Sequence, residues 1–510
     1  MASDLLRITG RIATGLLTAG TATVLVLGAA LLPPPDSANG ASGVPVSPTA
    51  AQQERVCAGP LVRLGDELGQ QATEVGSFGK PRLSGGTIEK KGAKVTGLKD
   101  TDVTSDDGGT SSVVTAPAAE SPSTLLGVSQ AQVAATSDAA GLAAAECTEG
   151  AALSWLVAGA TDTGRSTMLL LANPTRVPAV VDLRLYTADG PVLAPGLSDI
   201  VVPARAQRIL SVAGFAPGQA QLAVSVTSRG GIISASLQQS IVRGLEPGGI
   251  DLVGRTTEPA LEQIIPGVRI TTSDAAEARA QVGGSQDVET VLRLLAPDAN
   301  ASVTIGVTGA DGAEGTSLKV DAHAGQVLDV PLGPLADGYY SISLSSTAPV
   351  VASARASTVA PPAADTTADV VFGETPAATS DGIGFDVVGP STTDSSAQTG
   401  ERIDLAWFAA AGPLADPAVF VTARAASPRL SLTNSGDSPA AVKLTGNGDE
   451  QTLELAAGES VQVKLGKEKV YLLEPSAPVE ASVSYAGAGA LASHPVRAAS
   501  PLAAPITVYR

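Results

Sequence analysis

The sequence predicts an all-β protein that follows one N-terminal hydrophobic helix. Apolar and polar residues alternate along many short segments, turn-forming residues recur at roughly 8 to 12 residue intervals, and helical periodicity is nearly absent beyond the N-terminal region. One pattern of strands and turns also returns three times. We therefore expect three tandem immunoglobulin-like β-sandwich repeats after one N-terminal transmembrane helix. A β-propeller-like arrangement is the alternative, because propeller blades also consist of short, regularly spaced strands.

The composition suits cores of small and β-branched side chains under an acidic surface. Hydrophobic residues make up 44% of the 510 residues, whereas aromatic residues make up only 3%. A chain of this length exceeds one compact core, so several domains are expected. The formal net charge of -18 repels phosphate groups, and we therefore expect no nucleic-acid partner.

The N-terminal region carries the features of an export signal. Residues 12–32 contain no charged side chain and would span roughly 31 Å as a helix, enough to cross a bilayer. Arg7 and Arg11 precede this run, so the positive-inside rule places residues 1–11 in the cytoplasm. We expect a signal anchor and a single-pass cell-membrane protein whose C-terminal ectodomain lies outside. A signal peptide cleaved near Ser37 would instead give a secreted protein.

The remaining chain divides by composition. Residues 33–52 are rich in Pro, Ala, Ser and Gly and are expected to be a flexible linker. The predicted domains are a first β-sandwich with an N-terminal extension at 53–256, a second β-sandwich at 257–360, an acidic linker or insertion at 361–402, and a third β-sandwich at 403–510.

Two cysteines lie on the exported side of the predicted anchor. Thiols persist poorly outside the cell, so we expect Cys57 and Cys147 to form a disulfide. The loop that it closes corresponds to a stabilisation of about 4 kcal/mol in the chain-entropy treatment. Two unpaired buried thiols are the alternative. A metal site is not expected, because two cysteines without neighbouring histidines cannot supply four ligands.

Equivalent positions in the three copies lead to expectations about burial and turns. Leu169, Leu292 and Leu430 fall on the same early strand of their copies, and we expect at least two of the three to be buried. Asn173 and Asn434 end that strand in the first and third copies. An asparagine at this place most often closes its own turn by hydrogen bonding to the backbone.

Few side chains in the sequence are candidates for catalysis, sugar binding or metal binding. Trp155 and Trp407 stand in similar apolar segments, LSWLVAGA and LAWFAAAG, and are expected to be equivalent core residues rather than sugar-stacking surfaces. His323 and His494 are isolated, without the serine and carboxylate context of a catalytic triad, and are expected in surface turns. The acidic residues between 100 and 107 do not match a calcium-loop pattern, so we expect a solvated loop.

Several motifs point to one group of proteins. The export helix, Cys57 in RVCAGP, the paired Cys147, the L-x-L-x-N turn before P-A-x-V-x-L and the V-V-P-A strand together resemble an uncharacterised family. It is a domain-of-unknown-function family of secreted or membrane-anchored actinobacterial cell-envelope proteins. The likeness covers roughly residues 53 to 500, and it implies an architecture and an envelope location but no activity.

These observations favour a non-enzymatic extracytoplasmic envelope protein. It would act as a scaffold or binding partner for an envelope protein or a cell-wall glycan, for example in cell-wall or polysaccharide assembly. No catalytic, cofactor-binding or metal-binding residue and no cofactor is predicted, and the membrane is contacted through the N-terminal helix. The alternative is an exported carboxylate-dependent enzyme acting on wall polysaccharide, a chemistry that needs neither histidine nor cysteine.

Overall fold

A computed structural model describes most of the chain beyond residue 51. It covers residues 52–65, 75–90, 92–106, 108–136, 138–310, 315–362, 400–446 and 448–498, with the backbone of 43–46 and 506–509. The predicted anchor at 12–32, and most of the predicted linkers at 33–52 and 361–402, lie outside the described residues. Among the residues described, no helix is long and apolar enough to cross a membrane.

Strands predominate throughout the described residues, so the all-β prediction is confirmed at the level of fold class. The first strand, β1 (Gly43–Val46), pairs antiparallel with a strand at the C-terminal end of the chain. This terminal pair belongs to one compact unit, and residues 51–502 form another. Everything described below concerns the second unit.

The N-terminal segment of the second unit consists of short strands, all but one of them in three small sheets; the exception, Lys99–Asp100, pairs parallel with a strand of the next segment. Its strands are β2 Gln53–Cys57, β3 Leu61–Leu64, β4 Val75–Phe78, β5 Arg82–Gly86, β6 Lys94–Gly97, β7 Lys99–Asp100, β8 Val103–Asp106, β9 Ser112–Ala116, β10 Gly127–Ala135 and β11 Ala140–Glu146. A disulfide joins Cys57 at the end of β2 to Cys147 just after β11. It lies in a small apolar cluster with Leu83, Val114 and Val128.

The next segment forms two sheets that face each other across one hydrophobic core. Its strands are β12 Leu153–Leu156, β13 Arg165–Asn173, β14 Ala179–Thr187, β15 Gly190–Pro191, β16 Ile200–Val202, β17 Ala206–Ser211, β18 Leu222–Arg229, β19 Ser234–Arg243 and β20 Glu246–Val253. Alternating burial along β14 places every second side chain in this first core, as a period-2 pattern requires.

The second segment forms one seven-stranded sheet around a second core. Its strands are β21 Ala260–Ile270, β22 Val291–Leu295, β23 Ala301–Gly309, β24 Thr316–Ala322, β25 Val327–Pro331, β26 Gly338–Ala360 and β27 Arg402–Ala409. The only α-helix in the described residues, α1 (Ser273–Ala280), lies between β21 and β22 and has no buried residue.

The third segment encloses a third core between two four-stranded sheets. Its strands are β28 Ala418–Val421, β29 Arg429–Thr433, β30 Ala440–Gly446, β31 Asp449–Leu455, β32 Ser460–Lys464, β33 Val470–Pro475, β34 Glu480–Gly487 and β35 Ala490–Pro495. The final strand, β36 (Ile506–Tyr509), is the partner of β1.

The three segments share one pattern of strand pairing. The strand that carries Leu169, Leu292 or Leu430 lies between two antiparallel neighbours in each case: β17 and β19, β25 and the second half of β26, and β32 and β34. The three leucines are 1%, 0% and 0% exposed, which confirms their predicted burial. In the second segment, β26 is one continuous strand that pairs first with β23 and then with β22, where the other segments use two strands.

The strand at 402–409 does not begin the third core. It pairs antiparallel with β26 over eight residue pairs, from Ala360 with Arg402 to Ser353 with Ala409. Leu405 and Trp407 point into the first core, whereas Ala406 and Phe408 point into the second. One strand therefore forms part of the wall of both cores.

The predicted equivalence of Trp155 and Trp407 is wrong. Trp155 lies on β12, the first strand of its segment, and this strand pairs with β18. Trp407 lies on β27, the last strand of the second segment. This is the position that β20 has in the first segment. The two stretches look alike because both strands are buried on both faces, and such strands read as continuous apolar runs.

Candidate functional site

Four strands from four parts of the chain converge in the middle of the molecule. They are β11, β20, β27 and β35, the last strand of the N-terminal segment and of each later segment, and they contact one another in sequence around a closed circuit. Each has only one hydrogen-bonded neighbour strand. Backbone N–H groups on such outer strands need other partners when they are buried.

The carboxylate of Asp404 supplies these partners on the three other strands. Its Oδ2 accepts hydrogen bonds from the backbone N–H groups of Leu142 and Leu491, both at 2.9 Å, and its Oδ1 accepts one from Ile250 at 3.2 Å. Asp404 has no exposed surface. Burial raises its pKa well above the usual range, although these N–H donors act in the opposite direction. Asp404 thus holds β27 to β11, β20 and β35.

A second buried carboxylate, Asp251 on β20, completes this arrangement. Its Oδ2 accepts the backbone N–H of Trp407 at 2.7 Å, and its Oδ1 accepts the N–H of Leu252 at 2.8 Å. Burial raises the pKa of Asp251 to about 8, against the effect of both N–H donors. Asp251 and Asp404 are both fully enclosed and bonded to backbone, so neither is accessible to a substrate.

A glycine allows the close approach of β11 to this centre. A Cβ on Gly141 would lie 2.2 Å from Oδ1 of Asp404 and 3.0 Å from the backbone nitrogen of Ile250. The φ angle of Gly141, +141°, is also one that other residues rarely adopt. Any side chain at this position would push β11 away from the carboxylate.

A cleft opens where three of these strands, β20, β27 and β35, end. It has a volume of about 310 Å³ and is lined by β12 together with the residues that directly follow β20, β27 and β35. Its apolar walls come mainly from Trp155, Ala411, Pro413, Leu414 and Val496. The same convergence that seals Asp404 in the interior therefore also creates a concave surface, the usual setting of a small binding site.

The charged residues that line this cleft are Arg255, Arg497 and Glu258, and Arg497 is paired with Glu146 of β11, which does not line it. Arg497 Nη1 lies 3.4 Å from Oε2 of Glu146, in an ion pair whose side chains are 18% and 11% exposed. Burial, and next the nearby charge of Arg255, lower the pKa of Arg497 to about 10. Burial raises the pKa of Glu146, and the charges of Arg497, Arg55 and Arg255 oppose that effect. Glu258 is exposed at the rim.

Arg255 differs from its neighbour because it has no counter-ion. It is partly buried and lines the cleft. Within the described part of the chain, no hydrogen bond or ion pair of its guanidinium is found. The two cleft hydroxyls beside it are already used, since Thr256 donates to Ala352 O at 3.1 Å and Thr257 donates to the side-chain oxygen of Gln263. The cleft thus presents one unpaired cation.

The most deeply buried arginine, Arg293, lies away from the cleft and is fully paired. Arg293 has no exposed side-chain surface, binds Asp329 through two nitrogens at 2.7 and 2.8 Å, and donates to the carbonyl oxygen of Ala220. Its guanidinium also lies 4.6 Å from the ring centroid of Trp407. This group joins the first and second cores and has no free donor directed to a ligand.

The two tryptophans are core residues, as predicted. Trp407 is 1% exposed and donates its indole N–H to the side-chain oxygen of Gln239 at 2.7 Å. Trp155 is 7% exposed, and its ring lies 5.9 Å from that of Tyr186 in a stacked arrangement. Neither ring offers a free face of the kind that sugar stacking requires.

One of the two histidines is exposed and the other is buried. His323 is exposed in the turn before β25, as predicted. The surface position predicted for His494 is wrong, because this residue lies on β35, is 4% exposed and has its Nε2 3.2 Å from the hydroxyl of Tyr485. Burial lowers the pKa of His494 to about 4, so the ring is neutral near pH 7. The signal available in the sequence was its place in the short, mostly apolar segment that forms β35.

The predicted asparagine turns are confirmed. The side-chain amide of Asn173 donates to the carbonyl oxygens of Val177 and Val202, and its oxygen accepts the N–H of Thr175. Asn434 makes the matching bonds in the third segment, to Ser438, Leu455 and Gly436.

In the acidic stretch near residue 100, Asp102 pairs with Arg208 at 2.8 Å. No group of acidic, histidine or cysteine residues in the described ranges could hold a metal ion.

Sequence reasoning missed the two central aspartates and the arginines of the cleft. The signal for the aspartates was the tripeptide Ile-Asp-Leu, which occurs at 250–252 and again at 403–405 within otherwise apolar strands. A carboxylate in such a strand must be paired or bonded to backbone. Arg255 and Arg497 gave no comparable signal, because only the folded chain brings them together.

Comparisons with known proteins give little functional information. The sequence model of a family described as a family of unknown function (DUF5719) matches residues 103–384. No curated protein matches the chain. A solved structure titled "Biofilm associated protein - BSP domain" aligns over 89% of this chain and 96% of that chain, with 6% identity and a TM-score of 0.11.

Proposed function

Because the chain belongs to the family of unknown function DUF5719, we propose its function from its structure: a non-enzymatic binding protein and scaffold of the cell envelope. The observation that supports this proposal is the convergence of four strands on Asp404. It joins the N-terminal segment and the three later segments into one body with a cleft at the junction. A protein that presents a fixed surface to a partner needs this kind of internal connection.

We further propose that the three later segments are immunoglobulin-like sandwich repeats. Support comes from their shared strand pairing and from the separate hydrophobic core of each, which lies between two sheets in the first and third segments and is bounded by one seven-stranded sheet in the second. An exported location is supported by the disulfide between Cys57 and Cys147 and by the charge-free run at 12–32. On this proposal, the run anchors the chain and the β-rich part stands outside the membrane.

Two experiments test the proposal. Protease treatment of intact cells should degrade the chain beyond residue 52 while a cytoplasmic marker survives. Chemical cross-linking followed by purification from detergent-solubilised membranes should then recover the chain with an envelope protein or with wall glycan. A control with Asp404→Ala, which disconnects the four strands, should recover less of the partner. A chain that is strictly monomeric and free of protein and glycan in these experiments would contradict the proposal.

The carboxylate-dependent enzyme remains an alternative prediction without a supporting observation among the described residues. The two carboxylates with the most strongly raised pKa values, Asp251 and Asp404, are sealed inside the molecule. Glycoside hydrolysis needs a pair of carboxyl groups that both reach the scissile bond.

A further inference from the structure

The cleft at the ends of β20, β27 and β35 contains an arginine whose charge is not neutralised. Arg255 has no counter-ion among the described residues, although the protein carries a net charge of -18. The charge of Arg255 lowers the pKa of Arg497, the other arginine that lines the cleft, and it also lowers the pKa of Glu146. Two like charges at one cleft disfavour each other, and an anion placed beside Arg255 would relieve this repulsion.

The charge balance of the cleft favours a singly charged ligand. Arg497 is already paired with Glu146, and Glu258 lies at the rim, so only one positive charge is available. A dianionic phosphate would bring a second negative charge toward two glutamates. A carboxylate carries one charge and matches the planar guanidinium fork through two parallel hydrogen bonds.

The walls of the cleft define the rest of the ligand. Ala410, Ala411, Gly412 and Ala498 leave room close to the backbone, while Pro413 and Leu414 add apolar surface. The volume of about 310 Å³ is at the lower end of the range for small-molecule sites. A ligand that fits these walls and this volume has a short, apolar body with small side groups and one terminal carboxylate.

We propose that this cleft binds the carboxyl end of a peptide with small apolar side chains, through Arg255. The inference rests on the proposed binding function and names the ligand chemistry. Two sources in the envelope share this chemistry: the C-terminus of a protein, built of L-residues, and a wall peptide that ends in D-residues. Capture of a terminal carboxylate is a recurring mode of peptide recognition.

Calorimetry with the purified full-length protein in detergent tests this inference. The probes are N-acetyl-Ala-Ala with a free carboxylate, in L,L and D,D forms, and the matching amides, which lack only the charge. We expect at least one acid to bind and its amide to bind at least 10-fold more weakly. Tighter binding of the L,L acid would indicate a protein C-terminus, and tighter binding of the D,D acid a wall peptide. Amides that bind as well as the acids, or no binding of either acid, would overturn the inference.

Two variants complete the test. Arg255→Gln should lose the preference for acid over amide while its thermal unfolding stays as in the wild type, because this guanidinium holds no other residue. Arg229→Gln is the matched control. Arg229 lies on β18 outside the cleft, is exposed, and is paired with Asp199. It should bind the acid like the wild type. An Arg255→Gln variant that keeps the preference would exclude Arg255 as the binding group.

The two proposals can fail separately. If the chain is cross-linked to an envelope partner but neither dipeptide binds, only the ligand assignment is wrong. If a dipeptide binds through Arg255 but no partner is recovered from membranes, the cleft is a binding site and the scaffold proposal is wrong.

Discussion

Individual buried polar residues, rather than apolar ones, determine how the parts of this protein fit together. Asp404 bonds to three strands, Asp251 bonds to the backbone of Trp407, and Arg293 bonds to carbonyl groups of the first segment from its place on β22. Each of these side chains would be costly to bury alone. Their bonds therefore make the correct docking of strands strongly favoured over any other.

Removal of the Arg293 side chain should be severely destabilising. Arg293→Ala leaves Asp329 and several carbonyl groups without their partner, and breaking a buried ion pair in this way costs about 3 to 5 kcal/mol. The control is Arg208→Ala, which removes an ion pair whose side chains are 31% and 24% exposed. For such a pair, the loss should be about 0 to 1 kcal/mol. Urea unfolding followed by circular dichroism measures both; equal losses would contradict the difference in burial.

Protonation of Asp251 should make stability depend on pH. Because its pKa is raised to about 8 in the folded chain, the folded state holds this proton more tightly than the unfolded state. The stability that this proton provides is complete below the unfolded pKa near 4 and is lost as the pH rises through about 8. Asp404, with a pKa also raised, contributes a slope of the same sign.

Asp251→Asn should therefore flatten this pH dependence. The free energy of unfolding of the wild type should fall more steeply from pH 5 to pH 8 than that of the variant, by up to about 1.4 kcal/mol per pH unit. Gln239→Ala, a destabilising but uncharged change beside Trp407, should give a curve parallel to that of the wild type. Parallel curves for Asp251→Asn and the wild type would show that Asp251 is ionised throughout.

At the scale of elements, period-2 alternation predicts most of the strands, and the turns predict where many of them end. It does not predict which outer strands meet, because pairing and docking depend on contacts between residues far apart in the sequence. β27 illustrates this limit. Its apolar run indicates a buried strand, but only the fold shows that one face lies in the first core and the other in the second. A pattern without alternation carries no information about which core receives which face.

The disulfide acts at the same scale, since it fixes β2 to the end of β11. Cys57→Ser should lower the free energy of unfolding by about 2 to 5 kcal/mol, the usual cost of losing a native disulfide. It should also make residues 53–146 more sensitive to protease. Cys147→Ser should have the same effect, and the double variant should be no worse than either single one. An additive double variant would mean that the thiols act independently of the bond.

At the scale of the whole molecule, the segments are less separate than their sequences suggest. The third core contains Ala131, Leu142 and Ala144 from the N-terminal segment, in addition to its own strands. The N-terminal segment also packs on the first segment, where Ala143 contacts the cluster that includes Met168 and Leu170. The repeating strand pattern was visible in the sequence, whereas the contacts of Ala131, Leu142 and Ala144 in the third core join residues about 300 positions apart and leave no local signature.

A C-terminal fragment should therefore fail to fold alone. A fragment from Arg402 to Arg510 retains β28 to β35 but loses the N-terminal side chains that complete its core, and it leaves Trp407 without the first core. We expect weak strand content, no cooperative melting and a tryptophan emission typical of solvent exposure. The control is the full-length protein, in which Trp407 should report one cooperative transition. A sharp transition in the fragment would show that the third core is self-sufficient.

The course of β27 also bears on what a single cut in the backbone would do. The chain leaves β26 at residue 360, passes through 361–401, and returns as β27 to pair with the strand that it has just left. Hydrolysis of one peptide bond between residues 362 and 400 would divide the covalent chain, yet the C-terminal piece would still be held by its pairing with β26 and by the bonds of Asp404. Two polypeptides would separate in denaturing electrophoresis but migrate together as one native particle. The protein could thus be produced as two complementing fragments that reassemble. The two fragments would meet where β26 pairs with β27.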